Sequence, residues 1–530
     1  MKNPGFLGRR RCAIQPIETI QDLKMKLLFF QIFFLSAIII LTVGCDSEKD
    51  DPEIFTHSPN VIYIYADDLG YGELGSYGQE KIKTPHLDRM AAEGIRFTQH
   101  YTSIPVCAPA RCMLLTGQHG GHAYIRSNYS LNGGYDINDG GQMPLPKGTF
   151  TIGHLMQKAG YTTGAIGKWG LGSINTTGLP EKQGFDYFYG YLGQGQAHGY
   201  YPTHLRENDS WDTLQNDFVL PHEEIPASSP ETAFEKFEGS VYAPDKMTEK
   251  ALDFIDRNQE KPFFLYLPYT IPHVALQIPK ESESYKLYEG KWDTIPYYGD
   301  QGYTPSLEPL ATYAAMITQL DVYVGQIMQK IKELQLDDDT IIMFSSDNGT
   351  TFNGGVNHEF FNSVSGLRGL KMDLYEGGIR MPFIARWPGH IPAGEVTDHI
   401  SAQYDLMATL GDLVNMEVPA NDGVSMLPTL LGRPAEQKKH DYLYFEYSAK
   451  GGQLAIRIGN LKAVKTKVNK LPSTPWEIYN LENDPTESRN IASEHAGLMK
   501  KLDQIVRKEH ISAHLREWEF VGRNFSTNPL

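Results

Sequence analysis

The chain predicts an α/β protein: a large, mixed, mostly parallel sheet sandwiched by helices, then a smaller antiparallel sheet with one helix. Three observations predict it. Short, β-rich apolar runs recur between segments whose apolar residues fall at helical spacing, as they do when helices cover both faces of a sheet. Several of those runs stop at polar, chemistry-bearing residues, the place where open α/β sheets gather their ligands. After about residue 430 the texture changes, and short strand candidates follow one another directly.

Asn60-Val61-Ile62-Tyr63-Ile64-Tyr65-Ala66 reads as a buried strand, ended by Asp67-Asp68-Leu69-Gly70. Helices follow around Pro85–Glu93 and Ala108–Leu115, and Thr151–Ala159 is a third. Tyr161–Gly167 is a strand that runs into Lys168-Trp169. Met247, Ala251, Phe254 and Ile255 define an amphipathic helix over Asp245–Asn258, and Pro262–Tyr269 is another buried strand. A long helix spans Leu310–Leu334. Thr340–Phe344 is a strand ending in Ser345-Ser346-Asp347-Asn348-Gly349, and Met381–Trp387 is a further one. In the last part, Asp441–Tyr447, Leu454–Ile458, Leu461–Lys465 and Trp476–Tyr479 are strand candidates, with a helix from about Glu494 to Lys508. Residues 195–242 and 280–306 are loops rich in Gly, Pro, Tyr and acid; insertions of that length cover a site or are disordered.

The 530 residues have room for a large domain and a smaller one, and 41% hydrophobic with 21% charged residues indicates a packed core. A formal net charge of −16 argues against nucleic acid or an anionic membrane surface as partner. An anionic substrate would need a local island of positive charge. Of the four cysteines, Cys107 and Cys112 stand five positions apart at the start of one helix. That spacing matches neither a disulfide framework nor a paired metal motif. Cys112 reads as a small core residue. Cys12 falls in a segment expected to be absent from the mature protein.

Residues 1–45 read as an upstream extension plus a lipoprotein-type signal, and 46–58 as a polar tether. Met25-Lys26 precedes an apolar run to Val43, and Gly44-Cys45 then gives way to Asp46-Ser47-Glu48-Lys49-Asp50-Asp51. Met25 is the expected start. Gly44-Cys45 resembles a bacterial lipoprotein cleavage site, and the acidic tract resembles the export signal of surface lipoproteins. The expected location is the outer membrane or cell surface, or the periplasm, with membrane contact only through a lipid on Cys45. An uncleaved anchor is the alternative, since the run is nearly long enough to span a bilayer.

The densest chemistry lies in Cys107-Ala108-Pro109-Ala110-Arg111, in front of Met113-Leu114-Leu115. A nucleophile position opens a helix whose free N–H groups and positive dipole end favour an anion. Arg111, one turn on, can grip a tetrahedral oxyanion with its planar fork. A buried helix-start cysteine is the bland alternative. Asp67-Asp68 and Asp347-Asn348 offer four oxygen donors, a set suited to calcium or magnesium and not to zinc. Each pair alone reads as a solvated turn. Alone, Lys168 reads as a surface lysine, and His273, after Tyr269-Thr270-Ile271-Pro272, as a polar surface or capping residue. His119 and His122, in Gly117-Gln118-His119-Gly120-Gly121-His122, read as a polar loop or as contacts to a sugar.

The Cys-x-Pro-x-Arg pattern resembles the signature of the type I sulfatases of the alkaline-phosphatase-like superfamily, Bacteroidetes glycan sulfatases among them. In these the cysteine is oxidised to Cα-formylglycine. Gly167-Lys168-Trp169, the long segment from Gly366 through Lys371 and Gly377-Gly378-Ile379-Arg380 to Pro382, and Trp476–Pro485 resemble the same family, so the likeness runs from about residue 59 to 500. It implies a catalytic domain over 59–430 and a C-terminal α+β subdomain over 431–530. It implies a sulfuric ester hydrolase acting on a sulfated glycan, with Cys107, Arg111, Lys168, His273 and Lys371 as catalytic residues. Asp67, Asp68, Asp347 and Asn348, with the modified Cys107, would ligate calcium, magnesium being the less suited ion. A formylglycine-generating maturation enzyme is the implied partner. In this family one hydroxyl of the hydrated aldehyde attacks sulfur, and deprotonation of the second releases sulfate. Lysine at 168 would hold sulfate and leaving-group oxygens, lysine at 371 sulfate, and His273 would bind sulfate, with His273 and Lys168 the two candidates for general acid. The chain departs from the pattern at Gly170, where the family often has a histidine. Two alternatives stand: a phosphate or phosphonate monoester hydrolase of the same superfamily, separable by relative aryl sulfate and aryl phosphate turnover, and a non-catalytic glycan-binding lipoprotein, separable by sugar binding without sulfate release.

Overall fold

In the computed structural model, which describes residues 58–131, 141–470 and 474–521, β1 (Asn60–Asp67) runs through an eleven-stranded sheet and is buried along its whole length. An unalternating Val-Ile-Tyr-Ile-Tyr run demands this, because both of its faces must be covered. The other strands are β2 (Ile95–Tyr101), β3 (Thr162–Lys168), β4 (Tyr187–Tyr191), β5 (His204–Glu207), β6 (Ser210–Thr213), β7 (Phe263–Pro272), β8 (Thr340–Ser346), β9 (Arg380–Arg386), β10 (Glu395–Thr397) and β11 (Ser401–Ala402). The order is β10-β2-β9-β8-β1-β7-β3-β4-β5-β6, with β11 also on β2. The consecutive strands β8, β1, β7, β3 and β4 are mutually parallel. β9 runs antiparallel to both β8 and β2, and β5 and β6 close the far edge antiparallel. The sheet is mixed and mostly parallel at its centre, as the sequence predicts.

Helices cover the sheet with the faces their periodicity dictates. Ala243–Asn258 buries Met247, Ala251, Phe254 and Ile255, and Pro309–Glu333 buries Tyr313, Ile317, Leu320, Val324 and Ile327 in the same core as Ile62, Ile64 and Leu265 of the strands. Each Val, Leu, Ile, Phe or Met among them contributes about 1.5–3 kcal/mol by leaving water. The helix Cys107–Thr116 stops at Gly117, whose φ of +69° lets its N–H return to the Met113 carbonyl.

A second sheet of β12 (Leu443–Tyr447), β13 (Gln453–Ile458), β14 (Leu461–Lys465) and β15 (Glu477–Asn480) is antiparallel in chain order. Leu502, Ile505 and Val506 of the helix Met499–Glu509 share its core with Leu454, Ile456 and Ile478. This corrects the expected helix start at Glu494. Ala492–Leu498 is a 3-10 stretch broken at His495, with no buried residue to hold an α-helix down. The sequence reading also lacks β2, β4–β6, β10 and β11, most of them short or partly polar strands towards the two ends of the sheet.

The signal segment, Cys12, the lipid-anchor position Cys45 and the tether up to residue 57 lie outside the described residues. Among the described residues no helix is long and apolar enough to cross a membrane.

Candidate active site

Four neighbouring parallel strands deliver the site. Register places Tyr65 opposite Ser345 and Ala66 opposite Ser346, so Asp67-Asp68 and Asp347-Asn348 leave β1 and β8 side by side. On the other flank Asp67 is level with Pro272 of β7, immediately before His273, and β3, the next strand, ends on Lys168. Parallel strands put all of these carboxyl ends on one edge. The loop before the helix Cys107–Thr116 reaches the same edge, where Met372 N–H donates to the Pro105 carbonyl at 2.9 Å and brings Lys371 in.

The side chains form one connected, buried network. Cys107 Sγ lies 3.4 Å from Asp67 Oδ1 and 3.9 Å from Asp68 Oδ1. Lys168 Nζ donates to Asp67 Oδ2 at 2.6 Å, and Lys371 Nζ to Asp68 Oδ2 at 2.7 Å. Arg111 Nη2 meets Asp347 Oδ2 at 3.0 Å and Asp67 Oδ2 at 3.3 Å, while Nη1 donates to the Lys168 carbonyl. Asn348 Nδ2 donates to Asp68 Oδ1 at 2.7 Å, and Asp68 N–H to Asp347 Oδ1 at 3.0 Å. His273 Nε2 stands 3.8 Å from Asp68 Oδ2. Its Nδ1 contacts the Val274 carbonyl, which can only accept, so Nδ1 carries a proton and Nε2 faces the site. The structure thus gathers Cys107, Arg111, Lys168, His273, Lys371, Asp67, Asp68, Asp347 and Asn348 in one place.

Electrostatics divides these groups. Burial alone would raise Asp67, but Lys168, His273, Arg111 and Lys371 together hold it far below the ordinary carboxylate range. Burial and then Asp67 push Asp347 up to about 7 despite Arg111. Asp68 is also raised, by burial, with Asp67 opposing Lys371. His273 is held neutral, well below its ordinary value, by burial and then by Lys168 and Lys371. Burial and Asp67 push the Cys107 thiol well above its usual value.

Asp67, Asp68 and Asp347 fit a hard dication, and beside them Asn348 Oδ1 is a buried oxygen without a hydrogen-bond partner among the described residues. Cys107 and His273 offer atoms within 4.8 Å of those of Asp67 and Asp68. A buried amide oxygen with nothing to accept is the observation that favours an oxygen-ligated cation here.

Sequence reasoning missed a wall of aromatic side chains. His198 stacks on His273 with ring centroids 5.3 Å apart, its Nδ1 is 3.1 Å from His222 Nε2, and Tyr303 closes on both His198 and His273. These residues come from the two long loops, whose length and composition were the signal. His119 and His122 have partners within the protein. His122 Nδ1 meets Asp422 at 2.8 Å, His119 Nε2 meets Glu509 at 3.1 Å, and His119 Nδ1 accepts the Gly121 N–H at 3.1 Å.

A parallel-sheet edge that joins a helix-opening Cys107 to clustered carboxylates and cations defines a hydrolase of the alkaline-phosphatase-like fold. Within that class the chain belongs to the sulfatase family: the Sulfatase family model matches residues 59–416, and the model described as N-sulphoglucosamine sulphohydrolase, C-terminal, matches residues 370–512. It is a type I sulfatase, a sulfuric ester hydrolase. It is 29% identical over 531 residues to an N-acetylgalactosamine-6-O-sulfatase of Bacteroides thetaiotaomicron, covering 88% of this chain and 96% of that one. It is 30% identical over 428 residues to the N-acetylgalactosamine-6-sulfatase of Canis lupus familiaris, covering 76% and 71%. The crystal structure of Ps i-CgsB in complex with k-i-k-neocarrahexaose superposes with a TM-score of 0.70 at 27% identity, covering 89% of this chain and 98% of that one.

Proposed function

We propose that the chain hydrolyses sulfate monoesters on a sulfated carbohydrate, with Cys107 oxidised to Cα-formylglycine and calcium held by Asp67, Asp68, Asp347 and Asn348. The observation that carries this reading is the single buried network in which Cys107 touches Asp67, and Asp67 is shared by Lys168 and Arg111. The hydrated aldehyde supplies two hydroxyls on one carbon, one to attack sulfur and one to let sulfate go. Bound calcium supplies charge that makes a neighbouring hydroxyl more acidic.

The chain's own residues do the rest. Arg111, Lys168 and Lys371 make the positive island that an acidic protein needs to hold a sulfate ester. A sugar alkoxide is a poor leaving group, so the departing oxygen must receive a proton. His273 presents Nε2 to the pocket; the negative charge of a bound ester favours its imidazolium, which then has a proton to give. The relatives named as N-acetylgalactosamine-6-sulfatases make that 6-sulfated sugar the first substrate to assay. The signal-like segment before Gly44-Cys45 supports export, a lipid on Cys45 as the anchor, and a substrate outside the cytoplasm.

The test is co-expression with a formylglycine-generating enzyme, mass spectrometry of the Cys107 peptide, and sulfate release from sulfated sugars beside aryl sulfate and aryl phosphate. Fully active protein with an intact thiol at 107 would refute the mechanism. Faster turnover of the phosphate ester would move the chain to the phosphate-hydrolase reading.

A further inference from the structure

Beside Lys168 the chain leaves a space that its own residue does not fill. Gly170 sits at φ +76°, and a Cβ built on it would lie 1.9 Å from Gln194 Nε2 and 3.0 Å from Gln194 Cδ. The glutamine amide therefore stands where a side chain at 170 would begin. The sheet fixes that exchange. β3 and β4 pair in parallel with Lys168 opposite Tyr191, Trp169 N–H donates to the Tyr191 carbonyl at 2.9 Å, and Gly170 N–H donates to the Leu192 carbonyl at 3.0 Å. Gln194 follows two residues later. The segment it leans on is a wall of the site, because the Lys168 carbonyl accepts from Arg111 and the Lys168 ammonium holds Asp67.

Gln194 is 6% exposed, and its Nε2 is buried without a hydrogen-bond partner among the described residues. Native interiors rarely leave a buried amide N–H unpaired, so Nε2 calls for an acceptor that the described residues do not supply.

We infer that Gln194 is a substrate-binding residue whose Nε2–H donates to an oxygen of the sulfate ester, in the place a side chain at position 170 would otherwise take. This rests on the reading of the pocket as a sulfate-ester site. A primary amide is neutral at every working pH and has no proton to transfer, so it can hold an oxygen but cannot act as an acid. Gln194 thus serves binding, and proton delivery is left to the groups that carry a proton to give, His273 and Lys168.

The experiment uses the modified, metal-loaded enzyme and the variants Gln194→Met, which keeps bulk and removes the donor, and Gln194→Ala. Expected in both is a loss of about 10- to 100-fold in kcat/KM for the sulfate ester, the range for a hydrogen bond to a charged group. The deficit should be the same across the pH profile. The melting temperature of Gln194→Met should hold, since bulk is kept and no protein bond to Nε2 is lost, whereas Gln194→Ala carries the cost of a small cavity. Inorganic sulfate, titrated as a competitive product, should bind correspondingly more weakly. Unchanged turnover and sulfate affinity in both variants would overturn the assignment while leaving sulfatase activity intact. A loss that merely tracks the folded fraction would overturn it too, by making Gln194 structural. Absence of sulfate release from modified wild type is the separate outcome that fails the underlying function.

Discussion

Lys462 Nζ stands 2.9 Å from Glu376 Oε1, and both side chains are fully buried. The same ammonium lies 2.9 Å from Glu487 Oε1. Lys462 belongs to β14 of the small sheet, whereas Glu376 follows the loop that carries Lys371 and also accepts from Tyr101 of β2 at 2.7 Å. One cation therefore ties the C-terminal sheet to the segment that brings a lysine into the active site. Removing one partner from a buried ionic cluster leaves the others uncompensated, which costs about 3–5 kcal/mol. Lys462→Met should lower stability by that amount in urea unfolding. It should also reduce turnover at temperatures where the protein remains folded, because Lys371 loses its support. Wild-type stability in this variant would show that the cluster carries no net energy.

The same cluster sets a pH dependence of stability. Burial, and then Glu376, pushes Glu487 up to about 7 from the 4.5 of an open chain. The folded state binds that proton more tightly, so the contribution of Glu487 is full below pH 4.5 and is lost as pH rises from there through about 7. Glu376 behaves oppositely. Burial opposes its ionisation, but Lys462, Arg380 and Arg457 hold it down at about 2, so its contribution is full above pH 4.5 and is lost as pH falls through about 2. In Glu487→Gln, urea midpoints measured in pH steps should decline less between pH 4.5 and 7 than in wild type, with an unchanged acid limb. An identical slope in wild type and variant would remove Glu487 from the account.

Metal dependence follows from the orphaned Asn348 Oδ1. Chelation should abolish sulfate release, and calcium should restore it where zinc does not, because the donor set is all oxygen once residue 107 is formylglycine. Asn348→Ala should raise the calcium concentration for half-maximal activity by about 10- to 100-fold. Activity that survives exhaustive chelation would exclude the metal from the reaction.

Asp67 was legible because it ends an unbroken apolar run, and Asp347 because it follows another by two serines, whereas Lys168, after Thr162-Thr163-Gly164-Ala165-Ile166-Gly167, was legible only through the resemblance of Gly167-Lys168-Trp169 to the family. That those runs are neighbours was not legible. The order β8-β1-β7-β3 is set by crossovers of up to a few hundred residues, and pattern in a local window carries no trace of them. β2 escaped for another reason. Arg96, Thr98 and Gln99 break its apolar texture, and His100 is fully buried there on Ser401, a partner known only in three dimensions. Gln194, His198 and Tyr303 stayed silent because loop residues acquire a role only from what they are folded against.

His198 offers the last prediction. Its ring lies nearly parallel to that of His273, 13° apart, and reaches His222 and Tyr303 on the other side. Burial, then His273 and Lys168, keeps His198 neutral, well below its ordinary value. A neutral, stacked imidazole in a wall of aromatic groups suits the sugar ring more than the sulfate. His198→Ala should therefore raise KM for a sulfated sugar by about 2- to 10-fold, the worth of one aromatic contact, and leave KM for a small aryl sulfate nearly unchanged. If the ring served only to orient His273, kcat would fall for both substrates and the ratio of their KM values would stay fixed. Steady-state kinetics on the two substrates separates these outcomes, and a uniform fall in kcat would assign His198 to positioning His273 and not to gripping the sugar.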